Sequence, residues 1–464
     1  MRRLFAGLFP WPFQMNYSIE SVYRNHLMVR AVPKTVEEIR CCVIGAGRIG
    51  LPIAVSLASA GCEVISLERD SERVVMINQG KAPFYEEGME EKLTQVIENG
   101  KMKATSDSTL MSSCNVIISA IGTGLDDSGK PDVSAIENLV ETISNSINTG
   151  TLVILKTTLP LGMTDFIAEK LSKRTKYSLD DELLIAFSPE RVVEGKAMYE
   201  LRVLPKIIGS VGPNSTERAK EVLSLLGGKI KVVSNTKTAE LCKLLDNAYR
   251  MTRFGFAADV AAIATNNGIN AYEAINAANY EYNRNNIPLP SIGVSGYCLT
   301  KDPYYLDESG IKIWEKRGFA STWNVARRAA DMQTTDAFYR ISNYFGNLEG
   351  KIIVIGGITY KENVDDSRLS HGREMLEMFS NAGAIVRIWD PQCSDEEIEG
   401  IKIQRTSNCL DGGDCLIITV PHDEFIEWSK NMENIDKMNS DLIFDGWGII
   451  GTRPNKMTIM GTGK

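Results

Sequence analysis

The sequence is poor in the residues that build metal centres and disulfide frameworks. It has three histidines, and its nine cysteines are scattered without a C-x-x-C pair or a Cys/His cluster. Neither a zinc site nor a set of structural disulfides is therefore indicated. Reduced thiols of this kind are typical of a cytoplasmic protein, so we expect no metal and a cytoplasmic location.

Excess positive charge and long apolar runs are also lacking. The net charge of -8 at pH 7 disfavours nucleic acid or an anionic membrane surface as the main partner. No apolar stretch reaches the roughly 18 residues of a membrane span, so membrane insertion is not expected. Pro10 and Pro12 interrupt the apolar run behind Arg2 and Arg3. We interpret residues 1–40 as an N-terminal extension, flexible or in part preceding the true start, rather than an export signal.

From Cys41 onwards the apolar pattern is that of a doubly wound α/β domain. A buried strand over 41–44, a glycine turn, a helix over 52–60 and a strand over 63–67 form a βαβ unit. Helix-like segments separate most of the further strand-like runs, and this alternation predicts a parallel sheet. Those runs cover residues 116–120, 152–155, 183–187, 206–209 and 229–233.

After about Ser234 the pattern becomes helical. Apolar residues at helical spacing over 238–264, 271–278 and 320–345 predict a central helical domain, whose last helix is long enough to join two lobes. A second α/β pattern then follows. It comprises a helix over 372–382 and strands over 351–357, 384–389, 414–420 and 441–444.

The expected architecture is therefore α/β, with two Rossmann-like doubly wound domains joined by a central helical domain with a long connecting helix. The predicted bounds are residues 1–40 for the extension, 41–234 for the first α/β domain, 235–335 for the helical domain and 336–464 for the second α/β domain.

A glycine-rich turn over residues 45–50 follows the first strand and opens the first helix. Its glycines can turn the backbone tightly and bring helix N–H groups onto a pyrophosphate. Glu68 ends the second strand about twenty residues further on, where a carboxylate would hold ribose hydroxyls and repel a 2′-phosphate. The pattern predicts NAD rather than NADP, with a coincidental turn as the alternative. The expected cofactor-binding residues here are Gly45, Gly47, Arg48, Ile49, Gly50 and Glu68.

Polar segments follow three later strands of the same domain. Residues 121–124 and 156–160 lie where ligands gather in doubly wound sheets, unless they are plain loops that cap the next helix. Residues 188–195 follow another strand, and Glu190 at that edge can act as a base that activates water. A solvated charged loop is the alternative.

Two further pairs of polar residues suggest ligand contacts. Lys243 and Asn247 lie four apart on one helical face, where an ammonium and an amide can stabilise an alkoxide, although such a face is commonly just solvated. In the second α/β domain, Lys361 and Arg368 can grip a diphosphate or orient a loop. That domain lacks the full dinucleotide fingerprint, so a second NAD is not expected.

The segment 295–302 presents a single thiol, Cys298, between glycine and a Lys-Asp pair. Cations and backbone amides lower the pKa of a thiol, and glycine lets a substrate carbon approach the sulfur. Cys298 is therefore a candidate nucleophile. A small buried thiol in a turn is the alternative.

Together these motifs resemble the nucleotide-sugar dehydrogenases, the UDP-glucose/GDP-mannose dehydrogenase family, whose members oxidise a sugar C6 alcohol to a carboxylate. The resemblance spans about residues 41–450, in the expected order. It rests on residues 45–50, Gly122-Thr123 with Gly129-Lys130-Pro131-Asp132, Ser188-Pro189-Glu190, Lys243 with Asn247, residues 296–302, and Tyr360-Lys361 with residues 365–368.

The resemblance implies that Cys298 is the nucleophile of a four-electron oxidation with NAD. An aldehyde would be captured as a thiohemiacetal, oxidised to a thioester and released as the acid by water. The implied partners are Lys243 and Asn247 for the oxyanion, Asp302 for the water and lysine network, Glu190 for thioester hydrolysis and Thr158 for positioning a water.

Binding roles follow from the same resemblance. It implies that the first α/β domain binds NAD, that the helical domain mediates dimerisation and that the second α/β domain binds the UDP-sugar. Arg284 matches an arginine that reaches a neighbouring subunit's substrate, so a homodimer or higher homo-oligomer is implied. Thr123 and Lys301 would contact the cofactor. The implied substrate contacts are Glu190, Arg191, Lys243, Asn247, Arg284, Gly296, Lys361 and Arg368.

The sugar itself is left open by the sequence. Residues 189–191 and 302–305 favour the N-acetylhexosamine branch, whereas Glu194-Gly195 favours the glucose branch, and Trp447 stands where glucose-type members often carry an arginine. We expect a UDP-sugar for polysaccharide synthesis, with UDP-N-acetylmannosamine or a related amino sugar slightly ahead of UDP-glucose, and GDP-mannose less favoured. Other classes are a hydroxyacid dehydrogenase without a reactive thiol and a non-catalytic nucleotide-sugar binding protein.

Overall fold

The computed structural model describes residues 36–124, 132, 134–306, 318–451 and 457–464. The predicted extension falls outside these residues as far as position 35, and so do Gly129, Lys130 and Pro131 of the proposed family motif. Within the described ranges no helix is both long enough and apolar enough to cross a membrane.

The first lobe is built on an eight-stranded sheet in the order β3-β2-β1-β4-β5-β6-β7-β8. Its strands are β1 Arg40–Ile44, β2 Glu63–Leu67, β3 Met102–Thr105, β4 Val116–Ser119, β5 Thr151–Leu155, β6 Leu183–Phe187, β7 Lys206–Ser210 and β8 Ile230–Val232. Its helices are α1 Gly50–Ser59, α2 Ser71–Asn78, α3 Met89–Glu98, α4 Ser134–Ser144, α5 Met163–Thr175, α6 Ala197–Val203 and α7 Pro213–Ser224.

Both faces of this sheet are buried. Along β1, Cys41 and Val43 belong to one apolar cluster, and Cys42 and Ile44 to the cluster on the other face. Strands buried on both faces give the continuous apolar runs seen in the sequence. One detail differs from the predicted parallel sheet, because β7 runs antiparallel to β6. The connection between them holds one short helix, α6, and returns the chain in the opposite direction.

The central region consists of α8 Thr236–Asn266, α9 Ala271–Asn279, α10 Tyr297–Leu306 and α11 Thr322–Phe345. Asn235 caps α8 by accepting the N–H of Thr238, so this helix begins two residues before the predicted start at 238. The sequence did not predict α10, which carries Cys298. The helix contains Pro303 and follows Gly296, and both residues favour a turn.

The second lobe has a seven-stranded sheet in the order β11-β12-β10-β9-β13-β14-β15. Its elements are β9 Ile352–Gly356, α12 His371–Asn381, β10 Ile385–Trp389, β11 Glu397–Ile398, β12 Ile401–Gln404, β13 Cys415–Ile418, α13 Asp423–Asn431, β14 Leu442–Asp445 and β15 Thr458–Gly461. Short 3-10 helices cover Val36–Glu38, Ser108–Ser113, Ser407–Leu410 and Ile435–Lys437. Four of these strands were predicted, whereas β11, β12 and β15, which lie at or next to an edge of the sheet, are short and partly exposed.

The expected fold class is thus confirmed: two Rossmann-like α/β lobes flank a helical region. In that region α8 and α11 pack closely. A Cβ atom at Gly255 would lie 2.3 Å from the Cβ of Ala326 and 2.5 Å from its carbonyl oxygen. The absence of a side chain at Gly255 therefore sets how near the two long helices come.

We predict that Gly255→Ala lowers the melting temperature. Alanine should gain about 1 kcal/mol of helix propensity, but the new methyl group must push α11 away. Ala262→Gly on the exposed face of α8 is the control and should lose only that propensity. Calorimetry of both variants checks this expectation, which is wrong if Gly255→Ala melts at or above the wild-type temperature.

Candidate active site

The glycine turn between β1 and α1 lies where the sheet order changes direction, beside β4. A Cβ atom at Gly50 would lie 1.8 Å from the carbonyl oxygen of Gly45, and Gly45 itself has a φ of +91°. Both positions therefore require glycine. At Gly47, by contrast, a Cβ atom would have no other atom within 4 Å. This open side lets the backbone approach a pyrophosphate at the N-terminus of α1.

Glu68 completes this end of the sheet. Its carboxylate follows β2 and accepts the N–H groups of Ala46 at 2.9 Å and Asp70 at 3.1 Å. The half-buried Ile49 immediately precedes α1. An acid held beside an open glycine turn is suited to ribose hydroxyls. The residues present therefore fit the dinucleotide that the sequence predicts.

Cys298 lies in the first turn of α10 and is exposed. The preceding Gly296 has a φ of +93°, and a Cβ atom there would lie 2.8 Å from the ring of Tyr360. Although the Cys298 residue has exposed surface, the surrounding protein displaces water from its sulfur and disfavours the charged thiolate. This desolvation raises the pKa of Cys298. Asp302 adds to the rise, while Lys243 and Lys301 oppose it. The expected cations are near the sulfur, but the net direction of the pKa shift is upward.

A buried carboxylate joins α10 to α8. Asp302 has no exposed surface, and it accepts hydrogen bonds from Asn247 Nδ2 at 2.5 Å and from Lys301 Nζ at 2.6 Å. Burial is the strongest single influence and works to lower the pKa of Lys301, but the charge and hydrogen bond of Asp302 together with Tyr305 and Cys298 outweigh it, so the pKa rises and this lysine stays charged. Lys243 lies one turn before Asn247 in α8 and is half-buried. The sequence motifs at 243–247 and 298–302 are thereby brought together.

Glu190 lies beyond the end of β6 and is bound on both oxygens. Oε1 accepts the N–H groups of Arg191 at 2.8 Å and Val192 at 3.3 Å. Oε2 lies 3.0 Å from Nζ of Lys156, whose side chain is fully buried. That contact is an ion pair without hydrogen-bond geometry. Burial is the strongest single influence and works to raise the pKa of Glu190, but the charge of Lys156, the N–H of Arg191 and the charge of Lys206 together outweigh it, and the net shift is downward.

Lys206 is a third buried charge in this region. Burial lowers its pKa to about 8, opposed by Glu190. Its Nζ donates to the carbonyl oxygens of Leu201 at 2.5 Å and Leu204 at 2.8 Å. Neither Lys156 nor Lys206 was among the predicted site residues. The sequence had included Lys156 in the segment 156–160 after β5, where ligands gather, but had given it no role of its own.

The loops after β4 and β5 are tied to each other. Thr123 donates its hydroxyl to the carbonyl oxygen of Thr158 at 2.8 Å. Tyr305 of α10 donates to the carbonyl oxygen of Gly124 at 3.0 Å. Thr123 is buried and Thr158 is half-buried. These bonds hold the predicted Thr158 at the carboxyl ends of the strands, next to the helix that carries the thiol.

The second lobe meets the first at Glu194. Tyr360 donates its hydroxyl to Oε2 of Glu194 at 2.7 Å, and Lys361 Nζ donates to the Glu194 carbonyl oxygen at 3.1 Å. Burial raises the pKa of Glu194 and lowers that of Lys361. Arg368 lies close by and is exposed, with a two-pronged contact to Asp366 at 2.9 and 2.6 Å. Glu194 and Tyr360 were not predicted as site residues.

A buried histidine anchors the loop that carries Lys361. Asn363 donates its N–H to Nδ1 of His422 at 3.0 Å, so the ring proton is on Nε2. Nε2 lies 3.0 Å from Thr359 Oγ1 and 3.3 Å from Asp390 Oδ2. Asp390 in turn accepts the N–H of Ile358 at 2.6 Å. Both ends of the loop are thus fixed to the second lobe.

Three further residues singled out in the sequence contact other groups. Arg191 donates to the carbonyl oxygen of Pro205 at 2.7 Å. Arg284 is exposed, with its guanidinium 5.1 Å from the ring centroid of Tyr282. The indole N–H of Trp447 donates to a carbonyl oxygen of the second lobe at 2.7 Å.

Models of the UDP-glucose/GDP-mannose dehydrogenase family match three parts of the chain. The NAD binding domain matches residues 39–226, the central domain residues 237–322 and the UDP binding domain residues 354–452. The UDP-N-acetyl-D-mannosamine dehydrogenase of Pyrococcus horikoshii is 32% identical over 432 residues, which cover 92% of this chain and 99% of the relative. The NDP-N-acetyl-D-galactosaminuronic acid dehydrogenase of Ralstonia nicotianae is 28% identical, covering 88% of this chain and 95% of the relative.

Solved structures agree with these matches. The UDP-D-ManNAc dehydrogenase from Pyrococcus horikoshii has a TM-score of 0.83 at 30% identity, covering 92% of this chain and 99% of that one. A UDP-glucose dehydrogenase from Pyrobaculum islandicum shares the fold, with a TM-score of 0.80 at 21% identity over 94% of this chain and 100% of that one.

We predict that Lys156→Met destabilises the protein at neutral pH, because it leaves the buried Glu190 carboxylate without its cation. Loss of one partner of a buried pair costs about 3–5 kcal/mol. The double variant Lys156→Met/Glu190→Gln should recover part of the loss in melting temperature. An unchanged melting temperature for Lys156→Met would contradict the prediction.

The pH dependence separates the two variants. In the wild type the pKa of Glu190 is lowered, so its stabilising contribution is present at neutral pH and is lost only as the pH falls through that lowered pKa. In Lys156→Met we expect burial to prevail over the remaining N–H of Arg191 and charge of Lys206, and so to raise the pKa of Glu190 above its unfolded value. Mild acidification should then stabilise this variant, but not the double variant.

Proposed function

Because this chain belongs to the UDP-glucose/GDP-mannose dehydrogenase family, we propose that it oxidises the C6 alcohol of a UDP-sugar to a carboxylate through an intermediate on Cys298. The family makes it an NAD-dependent nucleotide-sugar dehydrogenase. The observation that carries the proposal is the placement of an exposed thiol in the first turn of α10, beside Lys243 and the buried Asp302 network.

Such a thiol meets a need that the electron count sets. NAD, when bound, accepts one hydride in each oxidation, so two molecules are needed for an alcohol to become an acid. The aldehyde formed first must be retained, and addition of the Cys298 sulfur to its carbonyl carbon gives a thiohemiacetal. The second oxidation gives a thioester, and water then adds to the carbonyl carbon and expels the thiolate as the carbon–sulfur bond breaks.

Lys243 and Asn247 are proposed to stabilise the oxyanion. An amide nitrogen has two N–H groups, and Asn247 gives one to Asp302, so the other remains for substrate oxygen. Asp302 fixes that orientation and keeps Lys301 charged. The raised pKa of Cys298 favours the neutral thiol before substrate binds. A nearby ammonium is then needed as the thiolate forms.

Glu190 is proposed to act on water during thioester hydrolysis. Its lowered pKa keeps it ionised, so it can accept a hydrogen bond from water and orient it. The pair with Lys156 holds the carboxylate at the end of β6. Thr158, at the neighbouring loop, is proposed to position the same water.

Nucleotide binding is assigned to both lobes. We propose that the turn at 45–50, Glu68, Thr123 and Lys301 contact NAD. The UDP-sugar would lie against Lys361, Arg368, Gly296 and the Glu190-Arg191 segment. The relatives support UDP-N-acetylmannosamine as the substrate, since such a dehydrogenase is 32% identical over most of the chain. UDP-glucose remains the alternative.

A homodimer through the central helices is proposed as well. Its support is a set of exposed apolar side chains on α8 and α11, together with the exposed Arg284, which can reach a neighbouring copy's substrate. The set comprises Tyr249, Phe256, Ile263, Val325 and Met332.

We predict that Cys298→Ser abolishes acid formation, lowering kcat by roughly a thousandfold or more, as loss of a covalent nucleophile does in other enzymes. Cys242→Ser is the matched control, because Cys242 is a half-buried free thiol of α8 with no assigned role. Product analysis and NADH formation measure both variants. Unchanged acid production by Cys298→Ser would rule out the covalent pathway.

We also expect about two NADH per sugar acid, by the electron count of the two oxidations. The panel contains UDP-N-acetylmannosamine, UDP-N-acetylglucosamine, UDP-N-acetylgalactosamine, UDP-glucose and GDP-mannose. The highest kcat/KM should fall on UDP-N-acetylmannosamine. A ratio of NADH to sugar acid near one would contradict the thioester pathway. If none of the sugars supports NAD reduction, the result would favour a non-catalytic binding protein.

A further inference from the structure

Arg48 leaves the glycine turn of the first lobe and ends among carboxylates around the second. Its Nη2 donates to Asp365 Oδ1 at 2.6 Å. Its Nε lies 3.7 Å from Oδ2 of Asp366 and 3.7 Å from Oε2 of Glu194. Phe84 lies beneath the guanidinium, 5.0 Å from the ring centroid. One cation thus serves three carboxylates at the boundary between the lobes.

The acceptor of this bond is held by both lobes. The second oxygen of Asp365 accepts the N–H of Tyr85 from the first lobe at 3.1 Å. The carbonyl oxygen of Asp365 accepts the N–H of Ser394 in the second lobe at 3.0 Å. Movement of Asp365 would therefore disturb both neighbours, and Arg48 is joined to a fixed point rather than to a free side chain.

The charge balance makes Arg48 necessary here. The side chains of Arg48 and Asp366 are 15% and 8% exposed, so their mutual attraction is only weakly screened. Arg368 neutralises Asp366 from the solvent side. Without Arg48, however, Asp365 and Glu194 would lose the one cation in the described residues that pairs with both of their carboxylates. Tyr360 and Lys361 both bond to Glu194, so a shift of Glu194 after the loss of Arg48 would move their loop against the first lobe.

We propose that Arg48 is a positioning residue that couples the two nucleotide turns. It joins the NAD turn at 45–50 to the loop at 360–366, so binding at either turn favours the lobe arrangement that the other ligand requires. The inference rests on the proposed function, because it takes the second loop as the UDP site. Arg48 thus has a bond between the lobes in addition to its predicted contact with the cofactor. By linkage the effect is the same in both directions.

The test is titration calorimetry of UDP into the full-length protein, with and without saturating NAD. UDP lacks the sugar, so no turnover occurs. In the wild type we expect NAD to tighten UDP binding on the order of tenfold, a typical coupling. In Arg48→Met this factor should fall below about twofold, because the bridge between the turns is gone. The same loss is expected in Asp365→Asn, which weakens the bond from its other end.

Arg218→Met is the matched control. Arg218 is also largely buried, with 10% of its side chain exposed, but it pairs with Glu221 within one helix of the first lobe, at 2.8 Å. It should leave the coupling factor at the wild-type value. Melting curves establish that each variant is folded. If Arg48→Met does not fold, the coupling factor of Asp365→Asn tests the proposal in its place.

The outcomes separate the inference from the function. A wild-type protein that binds neither NAD nor UDP refutes the proposed function and the inference with it. If both ligands bind but NAD does not tighten UDP binding, or if the factor survives in Arg48→Met and Asp365→Asn, the function stands and the coupling role of Arg48 is refuted.

Discussion

The fully buried carboxylate of Asp302 is the constraint on which the rest of the site depends. A buried charge is tolerated only when it is paired and hydrogen-bonded, and here Lys301 and Asn247 supply those bonds. Because Asn247 belongs to α8 and Asp302 to α10, the requirement fixes one helix against the other. It also fixes the first turn of α10, and with it the position of the Cys298 sulfur.

The same physical rule recurs at the other polar sites. Glu190 is held by Lys156, and Asp390 by His422 and backbone N–H groups. Each pair joins segments that leave different strands at the carboxyl edge of a sheet. The edges of both sheets thus become sets of fixed charges, which suits a reaction whose oxyanion must be stabilised without rearrangement of the protein.

Much of the fold could be predicted because both sheets are buried on both faces, which gives long apolar runs separated by helical periods. The glycine turn and Glu68 could be predicted as well, because their sequence signal lies within one βαβ unit. Helix α10 was missed because Gly296 and Pro303 are turn formers, and tertiary packing of Tyr305 and Leu306 against α8 overrides them. Edge strands such as β11 were missed because β11 has only two residues, which is too short to show the alternation of apolar and polar side chains that marks a strand.

The two α/β patterns, the dinucleotide turn and the set of residue types that the chemistry needs follow from the amino-acid sequence. Which charges meet depends on how the chain folds in three dimensions. Arg48 and Asp365 are 317 residues apart in the chain, and Lys156 and Glu190 lie in the segments that follow two different strands. Local periodicity reports burial along one element and is silent on pairing between distant elements. That pairing is set by where strand ends converge and by the cost of leaving a buried charge alone.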